Sequence, residues 1–165
     1  MIQRSWLISL AISTFGVLMI EHFFTLKVDE NSPSSANLGI FGLALVIPFI
    51  CLSMFITVRY FMHYARTTDD KMMRTIILMF TIAFVIAVGY FALDYRGDVY
   101  AQLGGTHHDI GSKIYGMPML NEYTNRVFVN LYTFFFFHAI AAIIGLIIGI
   151  VKPVKPTNAI DEQQQ

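Results

Sequence analysis

Long apolar runs separated by polar connectors dominate the pattern of this chain. The runs cover 6–26, 38–58, 75–93 and 127–151. At a rise of about 1.5 Å per residue, each approaches or exceeds the ~30 Å hydrocarbon core of a bilayer. The strands of a membrane barrel would instead appear as short segments of alternating hydrophobicity. The pattern therefore predicts an all-α protein, an integral membrane four-helix bundle that forms a single domain over residues 1–165.

The polar connectors differ in length and character. A short loop covers 27–36, and a charged connector covers 59–74. A long outer loop rich in glycine and tyrosine covers 94–126, and a polar tail covers 152–165, which we expect to be disordered. The first apolar run follows Arg4 and resembles a signal peptide. Its length and the lack of a small-x-small cleavage site predict a retained membrane helix instead.

Composition supports membrane insertion and excludes several functional classes. Hydrophobic residues make up 56% of the chain and charged residues 13%, whereas charged residues are about 25% of a soluble domain. The formal net charge is zero, so the chain offers no strongly basic surface for nucleic acid. One cysteine, Cys51, excludes a paired-thiol redox site, and we interpret it as a small buried hydrophobic residue.

The distribution of lysine and arginine predicts the orientation. Cytoplasmic connectors carry an excess of these residues, and here one side of the predicted bundle carries seven and the other side four. We therefore expect cytoplasmic N- and C-termini in a multi-pass protein of a bacterial-type cytoplasmic or an organellar inner membrane. The richer side holds Arg4, Arg59, Arg66, Lys71, Arg74, Lys152 and Lys155, and the other side holds Lys27, Arg96, Lys113 and Arg126.

His138 lies near the middle of the fourth apolar run and is the candidate functional residue there. A spacing of four, three and four places it on one helical stripe with Ala142, Gly145 and Gly149, which predicts a packing interface. In one interpretation it is a neutral imidazole bonded to a serine, a threonine or a backbone carbonyl of a neighbouring helix. In the other it is a haem or metal ligand, or a proton-relay group.

A b-type haem needs a second axial ligand at similar depth. The candidates are His22, near the outer end of the first run, and His63, beyond the inner end of the second. Neither matches the predicted depth of His138, which disfavours a bis-histidine haem, although helix tilt leaves it open. Haem b or copper held by these histidines is therefore the alternative cofactor prediction.

Two further groups of polar residues are candidates for chemistry. His107, His108 and Asp109 in the outer loop combine residue types that bind transition metals, with a solvated or partner-facing loop as the alternative. Glu21 precedes His22, and adjacent helical positions lie about 100° apart, so the two do not face each other. We expect Glu21 to lie at the level of the lipid headgroups, with a bundle-facing position paired with an outer-loop cation as the alternative.

Parts of the chain resemble subunit III of the haem-copper (cytochrome c or quinol) oxidases, over roughly residues 38–151. The segment 136–145 reads FFHAIAAIIG, which is similar to the family pattern H-G-x-H-V-x-x-G after an aromatic approach. His138 matches its first histidine and Gly145 its final glycine, whereas Ala141 replaces the second histidine. The segment 89–95, GYFALDY, resembles the close of the preceding family helix.

The resemblance implies a fold with more helices than this chain has, a shorter outer loop, and a first-helix glutamate that does not align with Glu21. It also implies a non-catalytic subunit without a redox metal. Such a subunit packs beside the catalytic subunit, holds lipid, and supports proton uptake and turnover stability. His138 would be an internal hydrogen-bonding residue and Gly145 a close-packing residue.

The functional prediction is accordingly an accessory subunit of a larger membrane complex, such as a respiratory terminal oxidase, which packs through the small-residue stripe of the fourth helix. Its expected partners are other membrane subunits and bound membrane lipid. Two alternatives stay open from the sequence. One is an electron-transfer subunit that binds haem b or copper through His138, and the other is a small transporter or sensor.

Overall fold

The protein is a bundle of four long helices. The computed structural model describes residues 2–27 and 38–152. Four helices in this part of the chain are long and apolar enough to cross a membrane, which confirms the all-α, four-helix prediction. The predicted disordered tail lies outside the described residues from 153 onward. The helices are α1 (Ile2–Phe23), α2 (Leu38–Thr67), α3 (Lys71–Gln102), the single turn α4 (Asn125–Phe128) and α5 (Leu131–Val151).

Helices α2 and α3 continue well beyond the apolar runs that predicted them. Helix α3 begins after Asp70, whose carboxylate accepts the backbone N–H groups of Met72 and Met73. At 32 residues it is about 48 Å long, so it extends past a ~30 Å hydrocarbon core. Part of the predicted outer loop is therefore helix, and its residue Val99 is buried. Polar residues after Leu93 mark a change of environment rather than the end of the helix.

Helix α5 lies at the centre of the bundle. It packs against α2 on one side and α3 on the other, while α1 packs mainly against α2. A groove therefore runs between α1 and α3, and residues of α5 form its floor. This groove contains the candidate site.

The small-residue stripe of α5 faces α2 of the same chain. Ala142, Gly145 and Gly149 are buried. A methyl group added at Gly145 would overlap the carbonyl oxygen of Val58, and one at Gly149 would lie 2.6 Å from the carbonyl oxygen of Met62. The two backbones are thus in direct contact, as small-xxx-small pairs allow. Any surface offered to a partner subunit lies elsewhere on the bundle.

Residues 103–124, together with α4, form an ordered cap over one end of the bundle. Its core consists of Val99, Leu103, Ile114, Tyr123 and Val127. Positive φ angles at four cap glycines allow the tight turns of this segment. The cap also holds the chain that follows α1, since Leu26 N–H donates to the Glu122 carbonyl at 2.8 Å. We call this the cap end of the bundle and the opposite end the basic end.

Asn130 separates α4 from α5 within the single helix that the sequence predicted. Its side-chain oxygen accepts Thr133 N–H, and the Thr133 hydroxyl accepts Asn130 N–H, which makes a capping box. The Asn130 amide group also donates to the carbonyls of Arg126 and Val127. These bonds satisfy backbone groups at the junction, so the helix ends and restarts although the surrounding sequence is apolar.

Candidate functional site

His138 is 5% exposed, and both of its ring nitrogens have protein partners. Nδ1 lies 2.8 Å from the carbonyl oxygen of Phe134, and Nε2 lies 2.6 Å from Ser53 Oγ on α2. A carbonyl oxygen only accepts, so Nδ1 must carry the proton in the neutral imidazole. Nε2 then accepts the hydroxyl proton of Ser53. The contacts match those of an internal hydrogen-bonding histidine.

Ser53 has a second acceptor within reach. Its Oγ lies 3.0 Å from the carbonyl oxygen of Ile50 on its own helix. One hydroxyl has one proton, so Ser53 donates either to His138 or to Ile50. While His138 is neutral, only donation to Nε2 satisfies the ring. The serine is buried, and it lies 85 residues from His138 in the sequence.

A cavity of about 310 Å³ lies beside His138, in the groove between α1 and α3. Its polar lining groups are already bonded within the protein. The Trp6 indole N–H donates to Thr57 Oγ1 at 3.0 Å, and that hydroxyl donates to the Ser53 carbonyl at 2.8 Å. The Thr81 hydroxyl donates to the Ile77 carbonyl. The cavity therefore presents an apolar surface with no donor directed into it from these groups.

A second cavity of about 500 Å³ continues the groove toward the cap end. The two cavities share Phe84 and Phe135 in their walls. The second one contains Glu21, whose carboxylate accepts the Tyr95 hydroxyl at 3.3 Å. Glu21 faces the bundle from a groove wall, half-buried against α3, and its depth relative to the lipid headgroups stays a prediction from the sequence. Sequence reasoning missed this pair because it assigned Tyr95 to a loop, 74 residues away in the chain.

The other candidate haem ligands lie apart from this groove wall. His22 is exposed on α1, with Nδ1 3.1 Å from the carbonyl oxygen of Leu18, and His63 is exposed on α2. Neither residue lines the cavity beside His138. Use of His138 as an axial ligand through Nε2 would require loss of its bond to Ser53. The haem b or copper hypothesis stays a prediction from the sequence.

The outer-loop candidates His107, His108 and Asp109 lie in the turns of the cap. The two imidazole rings are in contact at a tilted angle of 43°, with centroids 3.8 Å apart. Asp109 folds back on Thr106, and its Oδ2 accepts both the backbone N–H and the hydroxyl of that residue. Among residues 2–27 and 38–152, no group of three or more histidine, cysteine, aspartate or glutamate side chains is arranged to hold a metal ion.

These bonds at Asp109 predict a measurable titration. The backbone N–H of Thr106, and then its hydroxyl, hold the pKa of the Asp109 carboxyl below its usual range. The turn is therefore stabilised above the usual aspartate pKa, and this contribution is lost as pH falls through the lowered value. Thr106→Ala should raise the Asp109 pKa toward, but not fully to, the usual range in an NMR titration.

Thr106→Ser keeps the hydroxyl and is the control for this titration. It should leave the Asp109 midpoint at the wild-type position. An unchanged midpoint in Thr106→Ala would show that the hydroxyl contributes nothing to the ionised carboxylate.

The chain matches no protein-family model, no curated protein and no solved structure.

Proposed function

We propose that this protein is a non-catalytic accessory subunit of a larger membrane complex, of the kind that haem-copper oxidase subunit III represents. The resemblance around His138 and Gly145 supports a respiratory terminal oxidase as that complex. The charge distribution supports cytoplasmic termini in a bacterial-type or organellar inner membrane.

The observation that carries this proposal is the uncovered surface of α3. In α3 only Thr81 and Val99 are buried along 32 residues, whereas eight of the 21 residues of α5 are buried. Within the described chain, α3 makes its main helix contact with α5. The outward surface of α3 includes Ala83 and Ala87, one turn apart and both exposed.

A pair of small residues on the outward surface of α3 favours a protein partner over lipid. Small residues four apart let a second backbone approach closely, and in a membrane this close packing drives helix association. The equivalent pair on α5, Gly145 and Gly149, is already used inside the chain. The pair on α3 is left for a helix of another subunit.

The contacts of His138 support a structural role for the buried polar groups of this subunit. The imidazole, Ser53 and the Phe134 carbonyl form a closed set of hydrogen bonds between α2 and α5. Such bonds typically contribute about 0.6 kcal/mol each between membrane helices, with a maximum near 1.7. In this proposal, His138 holds the subunit's own helices together and its partner contact lies on α3.

The double substitution Ala83→Leu and Ala87→Leu tests the proposed partner surface. We expect it to reduce the amount of partner subunit that copurifies in mild detergent by about tenfold, equivalent to about 1.4 kcal/mol of association free energy. The physical reason is that two leucine side chains hold the partner helix away from the α3 backbone. Mass spectrometry of the preparation from the native membrane measures the partner.

The matched control places the same change on other helices. Ala11 on α1 and Ala44 on α2 are also exposed, and Ala11→Leu with Ala44→Leu should leave copurification at the wild-type level. Recovery of the wild-type chain alone, at native expression and without another subunit, would contradict the accessory-subunit proposal. Equal loss in both double variants would remove the assignment of the interface to α3.

A further inference from the structure

The cavity at the cap end combines one carboxylate with a largely aromatic wall. Besides Glu21, it is lined by aromatic residues from α3 and α5. The Tyr132 ring contacts two of the others, with centroid distances of 6.2 Å to Phe91 and 5.6 Å to Tyr95. The aromatic lining residues are Phe84, Phe91, Tyr95, Tyr132 and Phe135.

The charge of Glu21 is not neutralised by its partner in this cavity. Its hydrogen bond comes from the neutral hydroxyl of Tyr95. Among residues 2–27 and 38–152, no cationic side chain lines the cavity with Glu21, and the charge of Arg126 acts on Tyr95 from outside this lining. An ionisable group within a membrane helix is costly unless a partner compensates its charge. A bound cation would provide that compensation.

The residues that line the cavity favour an organic cation over a metal ion. Hard metal ions such as Mg²⁺ and Ca²⁺ require about six or more oxygen ligands. This cavity offers the Glu21 carboxylate and the hydroxyls of Tyr95 and Tyr132, which are too few. The Asn130 side chain is already bonded to Thr133, Arg126 and Val127. Aromatic faces instead attract organic cations, and they do so most strongly where water is excluded.

The size and continuity of the groove indicate that the bound cation carries large apolar substituents. A volume of about 500 Å³ is within the ~300–1,000 Å³ range of sites for drug-sized molecules. Past Phe84 and Phe135 the groove continues into the apolar cavity beside His138. A charged centre near Glu21 thus leaves room for apolar substituents along α5.

We propose that this pocket binds a lipophilic organic cation, with its charged centre beside Glu21 and its apolar groups against the aromatic wall. The site is independent of the small pair on α3, so it does not rest on the accessory-subunit proposal. Its ligand class is that of quaternary ammonium or phosphonium compounds that bear aromatic or alkyl groups.

Two probes of equal size and opposite charge test the site. The full-length chain, purified in an uncharged detergent, is titrated calorimetrically with tetraphenylphosphonium and, separately, with tetraphenylborate. We expect saturable binding of one phosphonium cation per chain and no saturable binding of the borate anion. Comparable saturable binding of both probes would overturn the proposal, because it would show apolar partition without recognition of charge.

Substitutions locate the binding. Glu21→Gln keeps an acceptor for Tyr95 and removes the charge, and it should weaken phosphonium binding by about tenfold or more. Asp94→Asn removes one charge from the exposed surface at the same end of α3, and it should leave the affinity within about twofold. Equal affinities for wild type and Glu21→Gln would overturn the proposal.

A second variant covers the possibility that Glu21→Gln fails to fold. Phe135→Leu keeps an apolar side chain and removes one aromatic face, so it should weaken binding of the cation by about threefold. Each variant is compared at an unchanged elution volume and melting temperature. If Phe135→Leu binds the cation as tightly as wild type, the aromatic recognition of the charge is wrong.

Discussion

Replacing Gly145 by alanine is expected to destabilise the bundle by about 1–3 kcal/mol, the usual cost of overpacking a close contact. The added methyl group would meet the Val58 carbonyl oxygen and would lie 3.0 Å from the Met62 nitrogen. These are backbone atoms in the middle of a helix, so they cannot rotate away as a side chain would. The α2 and α5 helices must separate, and their other contacts loosen with them. Thermal unfolding in detergent or a lipid nanodisc measures the loss.

Gly97 provides the matched control on α3. It is also a helical glycine, but nothing lies within 4 Å of the position that a methyl group would occupy. Gly97→Ala should therefore be neutral or stabilising by up to about 1 kcal/mol, since alanine is the better helix former. A Gly145→Ala protein as stable as the Gly97→Ala protein would contradict the close approach of α2 and α5.

Ser53→Ala is expected to cost about 1–2 kcal/mol, at the upper end for hydrogen bonds between membrane helices, since it leaves Nε2 of the buried His138 without a donor. Removing the histidine instead of the serine leaves no buried polar group without a hydrogen-bond partner. In His138→Leu, the Ser53 hydroxyl can still donate to the Ile50 carbonyl on its own helix. The serine should therefore matter only while the histidine is present.

A double-mutant cycle tests this asymmetry. In the His138→Leu background, the further change Ser53→Ala should cost only a few tenths of a kcal/mol, and the coupling between the two sites should exceed about 1 kcal/mol. The free energy of unfolding in a denaturing detergent titration provides the four values. If Ser53→Ala costs the same in both backgrounds, the hydrogen bond between the two side chains contributes nothing to stability.

The four long helices could be predicted because each contains an apolar run that only a membrane or a helix-rich core can accommodate. The residues at which these helices begin and end could not be predicted. Helix α3 continues to Gln102 because Val99 packs into the cap, and that contact depends on residues far along the chain. The start of α5 does have a local signal, Asn130 followed three residues later by Thr133. This capping box was missed because apolar residues on both sides of it made the segment look like one continuous helix.

In the candidate site too, features set by helical periodicity could be predicted, whereas contacts between distant helices could not. Spacing alone placed His138 on a stripe with Gly145 and Gly149, because helical periodicity is local. The sequence predicted a serine, a threonine or a backbone carbonyl of a neighbouring helix as the partner. The structure has a serine of α2 there, while the carbonyl partner, that of Phe134, lies on α5 itself. The identity of Ser53 depends on how α2 lies against α5. The pairing of Glu21 with Tyr95 likewise depends on how α1 and α3 are positioned on opposite sides of the groove.

The contact between the cap and the start of the chain has a consequence for biosynthesis. The Asn125 amide donates to the Phe24 carbonyl at 2.9 Å across a separation of 101 residues. At a synthesis rate of about 5–20 residues per second, the ribosome needs roughly 5–20 s after Phe24 to make this partner. During that interval the C-terminal end of α1 lacks this partner. The contact therefore forms only after about three quarters of the chain has been made, and a product truncated before Asn125 would lack it.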